Sequence, residues 1–106
     1  MKRIRVEFAT CQIIGAELVE HVKHRLAKHG HGAHASPHEI LGVITEEYQE
    51  LVEAVRDDDN PQRFVDELFD IGVACIFGVA SMNELSDPAN KEDSSEKNSI
   101  SVMIYE

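Results

Sequence analysis

Glu46-Glu47-Tyr48-Gln49-Glu50-Leu51-Val52-Glu53-Ala54-Val55-Arg56, then Asp57-Asp58-Asp59, then Asn60-Pro61-Gln62-Arg63-Phe64-Val65-Asp66-Glu67-Leu68-Phe69-Asp70-Ile71 is the stretch on which the fold turns. It reads as two helices joined by one short turn. Three adjacent like charges at the negative end of a helix dipole repel it and each other, so Asp57 to Asp59 stop the first of these helices. Asn60-Pro61 restarts the chain as N-cap and first helical position. Upstream, Ser36-Pro37-His38-Glu39 is a capping box with proline at the first turn, which starts that helix and lets it run to about Arg56. Ile40, Ile44, Tyr48, Leu51 and Val55 are its expected buried stripe.

The next helix changes character along its length. Residues 62–70 are amphipathic, whereas Ile71 to Ala80 is apolar on every side. A helix apolar all round must be covered all round, and two other helices of a small chain do not suffice. A second copy is therefore expected, across a two-fold interface, in an obligate homo-oligomer. Gly72 and Gly78 either permit close helix approach or are merely tolerated; both readings stand at this level.

Working outward, Phe8, Cys11, Ile14, Leu18, Val22 and Leu26 recur at three- and four-residue spacing and predict a first helix over 8–29. His29-Gly30-His31-Gly32 ends it. After the third helix the chain turns polar, giving an expected linker and tail over 84–106 in which 100–105 has short strand propensity. The expected fold is all-α: an antiparallel helical bundle, completed by homo-oligomerisation, in a single domain over 1–106 with its helical core at about 8–83.

The chain has 106 residues with 42% hydrophobic content, enough for one packed core. Twenty acidic against ten basic residues give a net charge of −10. That field repels DNA, RNA and anionic membranes and points instead to a bound cation, through which a small phosphorylated ligand can be received. Glu7, Thr10 and Gln12 interrupt the apolar run that a secretory signal needs, and Ile71 to Ala80 is far shorter than the roughly 20 residues of a membrane span. Cys11 and Cys75 form no CxxC pair and read as two buried thiols in a reducing compartment, so a cytoplasmic location is expected.

Glu47 and Glu50 lie about 60° apart and one turn apart on an edge of the second helix, and Glu67 and Asp70 repeat the geometry on the third. Antiparallel packing of the two helices brings both pairs together, and four convergent carboxylates do not all stay ionised without a cation. Mg²⁺, which shares its oxygen ligands between carboxylates, waters and substrate phosphates, meets that demand. The alternative is an ordinary solvated acidic face, which two pairs beside apolar stripes make the weaker reading.

Glu47-Tyr48-Gln49-Glu50 followed by Glu67-Leu68-Phe69-Asp70 resembles the ExxE…ExxD signature of the all-α, MazG-like nucleoside triphosphate pyrophosphohydrolases, a group related to dimeric dUTP pyrophosphatases. The likeness covers about residues 36–83. It implies a helical bundle assembled as a homodimer or a dimer-of-dimers tetramer. It further implies a Mg²⁺-dependent hydrolase, with Mn²⁺ as substitute, that cleaves a nucleoside triphosphate between the α and β phosphates to give nucleoside monophosphate and pyrophosphate. Glu47, Glu50, Glu67 and Asp70 would be the metal ligands, with Glu46 and Glu47 acting on the water. Asn83 and Lys91 are the residues offered for substrate binding. Phe69 departs from the small or acidic residue common at its place in the motif.

His21 and His24 stand at i, i+3 beside Glu17 and Glu20, which reads as a transition-metal face or, with more weight, as an exposed polar face. His29, His31, His34 and His38 are expected in or near a loop beside the active site. Lys23, Arg25, Lys28 and Arg63 suit phosphate tails and ordinary helix surfaces equally well. A di-iron bundle requires ExxH pairs, and the chain contains none. The rival from another class is a non-catalytic helical oligomer that binds metal or nucleotide, a degenerate family member.

Overall fold

Two proline-initiated caps divide the chain. The computed structural model describes residues 2–57, 60–87 and 89, and contains helices α1 (Phe8–His29), α2 (Pro37–Arg56) and α3 (Pro61–Ser86). Among the described residues the fold is all-helical, with no strand. No helix there is long and apolar enough to cross a membrane.

The Ser36 hydroxyl accepts the Glu39 N–H at 3.2 Å, while the Glu39 carboxylate reaches one residue beyond the usual capping-box target and accepts the Ala35 N–H at 2.6 Å. The Asn60 side chain accepts the Arg63 N–H at 3.2 Å. Arg63 then pins the start of α3 to the end of α2 through Glu53 at 3.7 Å and Asp57 at 3.5 Å. α1 ends as Gly30 enters positive φ (86°) and its N–H bonds the Leu26 carbonyl, a conformation that glycine adopts at little cost.

α3 is the shared spine: α1 and α2 each pack on it and not on one another. Matching contacts run the same way along α1 and α3 (Leu18 at Gly72, Arg25 at Phe77) and opposite ways along α2 and α3 (Ile40 at Gly78, Glu47 and Glu50 at Glu67). The antiparallel arrangement expected of the bundle is therefore corrected for α1 and holds for the α2/α3 hairpin, whose short connection forces it. A Cβ on Gly72 would stand 3.0 Å from a Leu18 methyl, and one on Gly78 would stand 2.8 Å from a methyl of Ile40. Close approach therefore accounts for both glycines, one for each partner helix.

The core is thin, with Ala54, Val73, Ala74 and Phe77 as its buried apolar residues. Several expectations are corrected here. The first half of α1 runs clear of α3, leaving Phe8, Cys11 and Ile14 exposed. α2 turns the edge carrying Ile40, Val43, Glu47 and Ala54 towards α3, so that Tyr48 (58% accessible) and Val55 (56%) face outwards. Cys75 is exposed rather than buried. Residues 84–86 are helical, which moves the start of the expected linker beyond Ser86. The remaining tail, including Lys91 and the strand-prone segment 100–105, lies outside the described residues.

Within the apolar stretch of α3, Cys75, Ile76 and Val79 are uncovered in the single chain. Cys75 and Val79, with Ile40, Leu41, Ile44 and Met82, border a groove of about 510 Å³ along the α2/α3 hairpin, walled almost entirely by apolar side chains.

Candidate metal centre

A helical turn separates Glu47 from Glu50, and the antiparallel run of α3 sets Glu67 opposite them. One ligand oxygen from each of the three lies within 4.8 Å of the others. Asp70 follows one turn after Glu67 and lines the adjoining cleft rather than joining the trio. Glu46 points to an exposed position beside Glu47.

The electrostatics of this group are those of crowded, partly desolvated acids. Burial, then the charges of Glu50, Asp70, Glu67 and Glu46, push the Glu47 carboxyl up to about 6. Glu67 is raised by burial and by Glu50 and Asp70, against which Arg63 pulls in the other direction. Asp70 is raised by burial and Asp66, with His21 opposing. Oε2 of Glu47 and Oε2 of Glu67 are buried and meet no hydrogen-bond donor. Buried carboxylate oxygens without donors are costly unless a proton or a cation occupies the space between them. Three oxygen donors on two rigid helices suit a hard divalent ion. The donor set therefore fits Mg²⁺.

Because α1 and α2 do not touch, a cleft of about 350 Å³ opens between them above α3. Glu47 and Asp70 form its acidic side, and α1 lines the opposite wall with His21, His24, Arg25 and Lys28. Phe69, the motif's departure, stacks face to face on the His21 ring, with centroids 4.5 Å apart and planes 7° apart. Arg25 lies over the face of Phe77, and His34 meets the same ring edge-on at 5.0 Å. The histidine loop is tied down at His34, whose N–H donates to the Ser81 hydroxyl at 3.0 Å and whose Nδ1 is 3.3 Å from Glu39.

The expected residues thus divide. Glu47, Glu50 and Glu67 converge, and Asp70 adjoins them. Asn83 is buried about three and a half turns further along α3, with an unpartnered Oδ1, and does not line the cleft. Lys91 is outside the described residues. His21 and His24 do not assemble with Glu17 and Glu20 into a ligand group among the described residues, and Glu20 pairs instead with Lys23 at 3.3 Å. What sequence reasoning left undecided was the cationic wall. Its signal was the spacing of His21, His24, Arg25 and Lys28 along one helix edge, which becomes informative once that edge is known to face α2.

Compared with known proteins, the chain matches no family model, and no curated protein or solved structure is significantly similar to it.

Proposed function

We propose that this chain is a Mg²⁺-dependent nucleoside triphosphate pyrophosphohydrolase that cleaves between the α and β phosphates. The observation that carries the reading is the convergence of Glu47, Glu50 and Glu67 within 4.8 Å, two of them with buried oxygens that lack donors. These three, with Asp70 at the cleft side, would hold Mg²⁺ or Mn²⁺. When bound, the cation would offset phosphate charge and acidify the attacking water.

In the proposed reaction the water oxygen bonds to the α-phosphorus as the bond from that phosphorus to the bridging oxygen breaks. Pyrophosphate leaves with the electron pair, and nucleoside monophosphate remains. Glu47, the member of the trio that lines the cleft, orients the water, and Glu46, outside the trio, accepts the water proton. The α1 wall supports a ligand with several phosphates, because it sets the positive groups of Arg25 and Lys28 across from the carboxylates in one cleft.

The same reading includes a cytoplasmic homodimer or dimer of dimers. Support for assembly comes from the apolar groove on the α2/α3 hairpin, with Leu41 (62% accessible) and Val79 (54%) at its edges. The free thiols of Cys11 and Cys75 support a reducing compartment.

The deciding experiment incubates the full chain with a panel of nucleoside triphosphates in Mg²⁺ or EDTA and separates the products. Monophosphate and pyrophosphate, formed only with Mg²⁺, are the expected result. Release of orthophosphate, or no turnover by a folded protein, would sink the reading and favour a non-catalytic metal- or nucleotide-binding oligomer.

A further inference from the structure

Arg25 stands out among the charges of this molecule. Acidic residues outnumber basic ones two to one, yet its half-buried guanidinium forms no ion pair among the described residues. It lies 3.6 Å above the centroid of Phe77, a residue that is itself in the core. A guanidinium carbon this close over an aromatic face is attracted by the ring quadrupole. A side chain restrained in this way keeps its fork of N–H donors, whose geometry suits a planar or tetrahedral oxyanion, on the wall of the cleft. Lys28, also without an ion pair among the described residues, follows three residues later on the same cleft wall. From His21 to Lys28 that wall runs for roughly 10 Å of helix, starting beside Asp70.

We propose that Arg25, seated on Phe77 and seconded by Lys28, is the anion-binding anchor of the cleft and takes the distal phosphates of a polyphosphorylated ligand. The assignment rests on the polyphosphate reading of the site but makes a separate claim about α1. The carboxylates of α2 and α3 hold one end of the ligand through a cation, and α1 holds the other directly. An arginine here supplies what lysine does not: a planar, weakly hydrated donor array that the aromatic ring restrains at the cleft wall.

The test is calorimetric titration of the full chain with inorganic tripolyphosphate, with and without Mg²⁺, in wild type, Arg25→Gln, Arg25→Lys and Lys28→Gln. Mn²⁺ binding is followed in parallel by the spin resonance of the free ion, and helix content by circular dichroism. Arg25→Gln is expected to weaken tripolyphosphate binding by on the order of tenfold to a hundredfold, with Mn²⁺ binding and helix content unchanged. Arg25→Lys should fall between, and Lys28→Gln should lose a few-fold.

Unchanged tripolyphosphate binding in Arg25→Gln overturns the assignment, as does failure of the wild type to bind tripolyphosphate at all. Equal loss of tripolyphosphate and Mn²⁺ binding together with helix content also overturns it, since Arg25 would then only hold the fold. Undiminished nucleotide turnover in Arg25→Gln would remove the anchor and leave the proposed reaction standing. Tripolyphosphate held through Arg25 by a protein that hydrolyses no nucleotide would remove the reaction and leave the anchor.

Discussion

Glu47 on α2 and Glu67 on α3 each carry a buried carboxylate oxygen that finds no donor, and with Glu50 they bring one ligand oxygen apiece to within 4.8 Å of one another. Such a pair is a weak point of the metal-free chain and a source of stability when a cation fills it. Mg²⁺ or Mn²⁺ should therefore raise the melting temperature, whereas a monovalent salt at equal ionic strength should not. Glu50→Gln should abolish most of that gain and Mg²⁺-dependent turnover while leaving the helical circular dichroism intact. A full metal-induced shift in Glu50→Gln would show that the ion sits elsewhere.

The raised carboxyls fix the sign of a pH effect. Glu47 binds its proton more tightly in the folded chain, near 6, than in the unfolded chain, near the ordinary 4.5. Its contribution to stability is thus fully present below about 4.5 and is lost as pH rises to about 6. Screened by solvent, the loss should be about 1 kcal/mol. Chemical denaturation at fixed ionic strength checks it: Glu47→Gln should flatten the decline between pH 4.5 and 6, and added Mg²⁺ should stabilise more strongly as pH rises through that window.

Glycines give a test of the packing that is independent of any ligand. An added Cβ at Gly78 would stand 2.8 Å from an Ile40 methyl, whereas Gly42 faces open space. Gly78→Ala should cost about 1–3 kcal/mol through overpacking. Gly42→Ala, mid-helix and unobstructed, should instead stabilise by about 0.4–1 kcal/mol. Urea midpoints of the two variants moving in opposite directions would bear this out, and a stabilised Gly78→Ala would show that α2 and α3 lie further apart.

The apolar groove on the hairpin predicts self-association. Light scattering of wild type at micromolar concentration should report a dimer or tetramer, and Val79→Glu, placing a charge at the groove's edge, should lower the mass towards that of the monomer. A monomeric wild type would contradict the burial argument for residues 71–80.

Catalytic proton transfer by Glu46 makes a narrower prediction. Glu46→Gln should reduce kcat by about 10²-fold or more, with Mn²⁺ affinity retained because this side chain lies outside the ligand trio. Equal kcat in variant and wild type would assign the proton to another group.

Helix starts were legible because their codes are local: Ser36-Pro37 and Asn60-Pro61 act within one turn of chain, and the side-chain caps form at both. The meeting of Glu47, Glu50 and Glu67 was legible too, since a short connection forces α2 and α3 antiparallel and the helical period does the rest. Helix rotation was harder to read. The middle of α3, from Ile71 to Ala80, is apolar on every side, so many settings of α1 and α2 bury similar area, and hydrophobic periodicity does not choose among them. The selection falls to shape and ring contacts: Leu18 against Gly72, Ile40 against Gly78, and His21 on Phe69. That is why Tyr48 and Val55 face outwards against expectation, and why the Arg25 wall needed a structure to find. Asn83 fails to reach the cleft for a simpler reason, its distance along the helix.

Because α1 and α2 lean on α3 without bracing each other, the molecule should open in two units rather than as one block. The α2/α3 hairpin, tied at its turn by Arg63, keeps the carboxylates in register whatever α1 does. α1, exposed along its first half, is expected to be the unit of lower local stability. Its amides should exchange with solvent faster than those of α3. A molecule bridging Arg25 to the acidic trio would couple the two openings and lift α1's protection towards that of the hairpin, so occupancy of the cleft would be recorded in the exchange of a helix that carries none of the carboxylates.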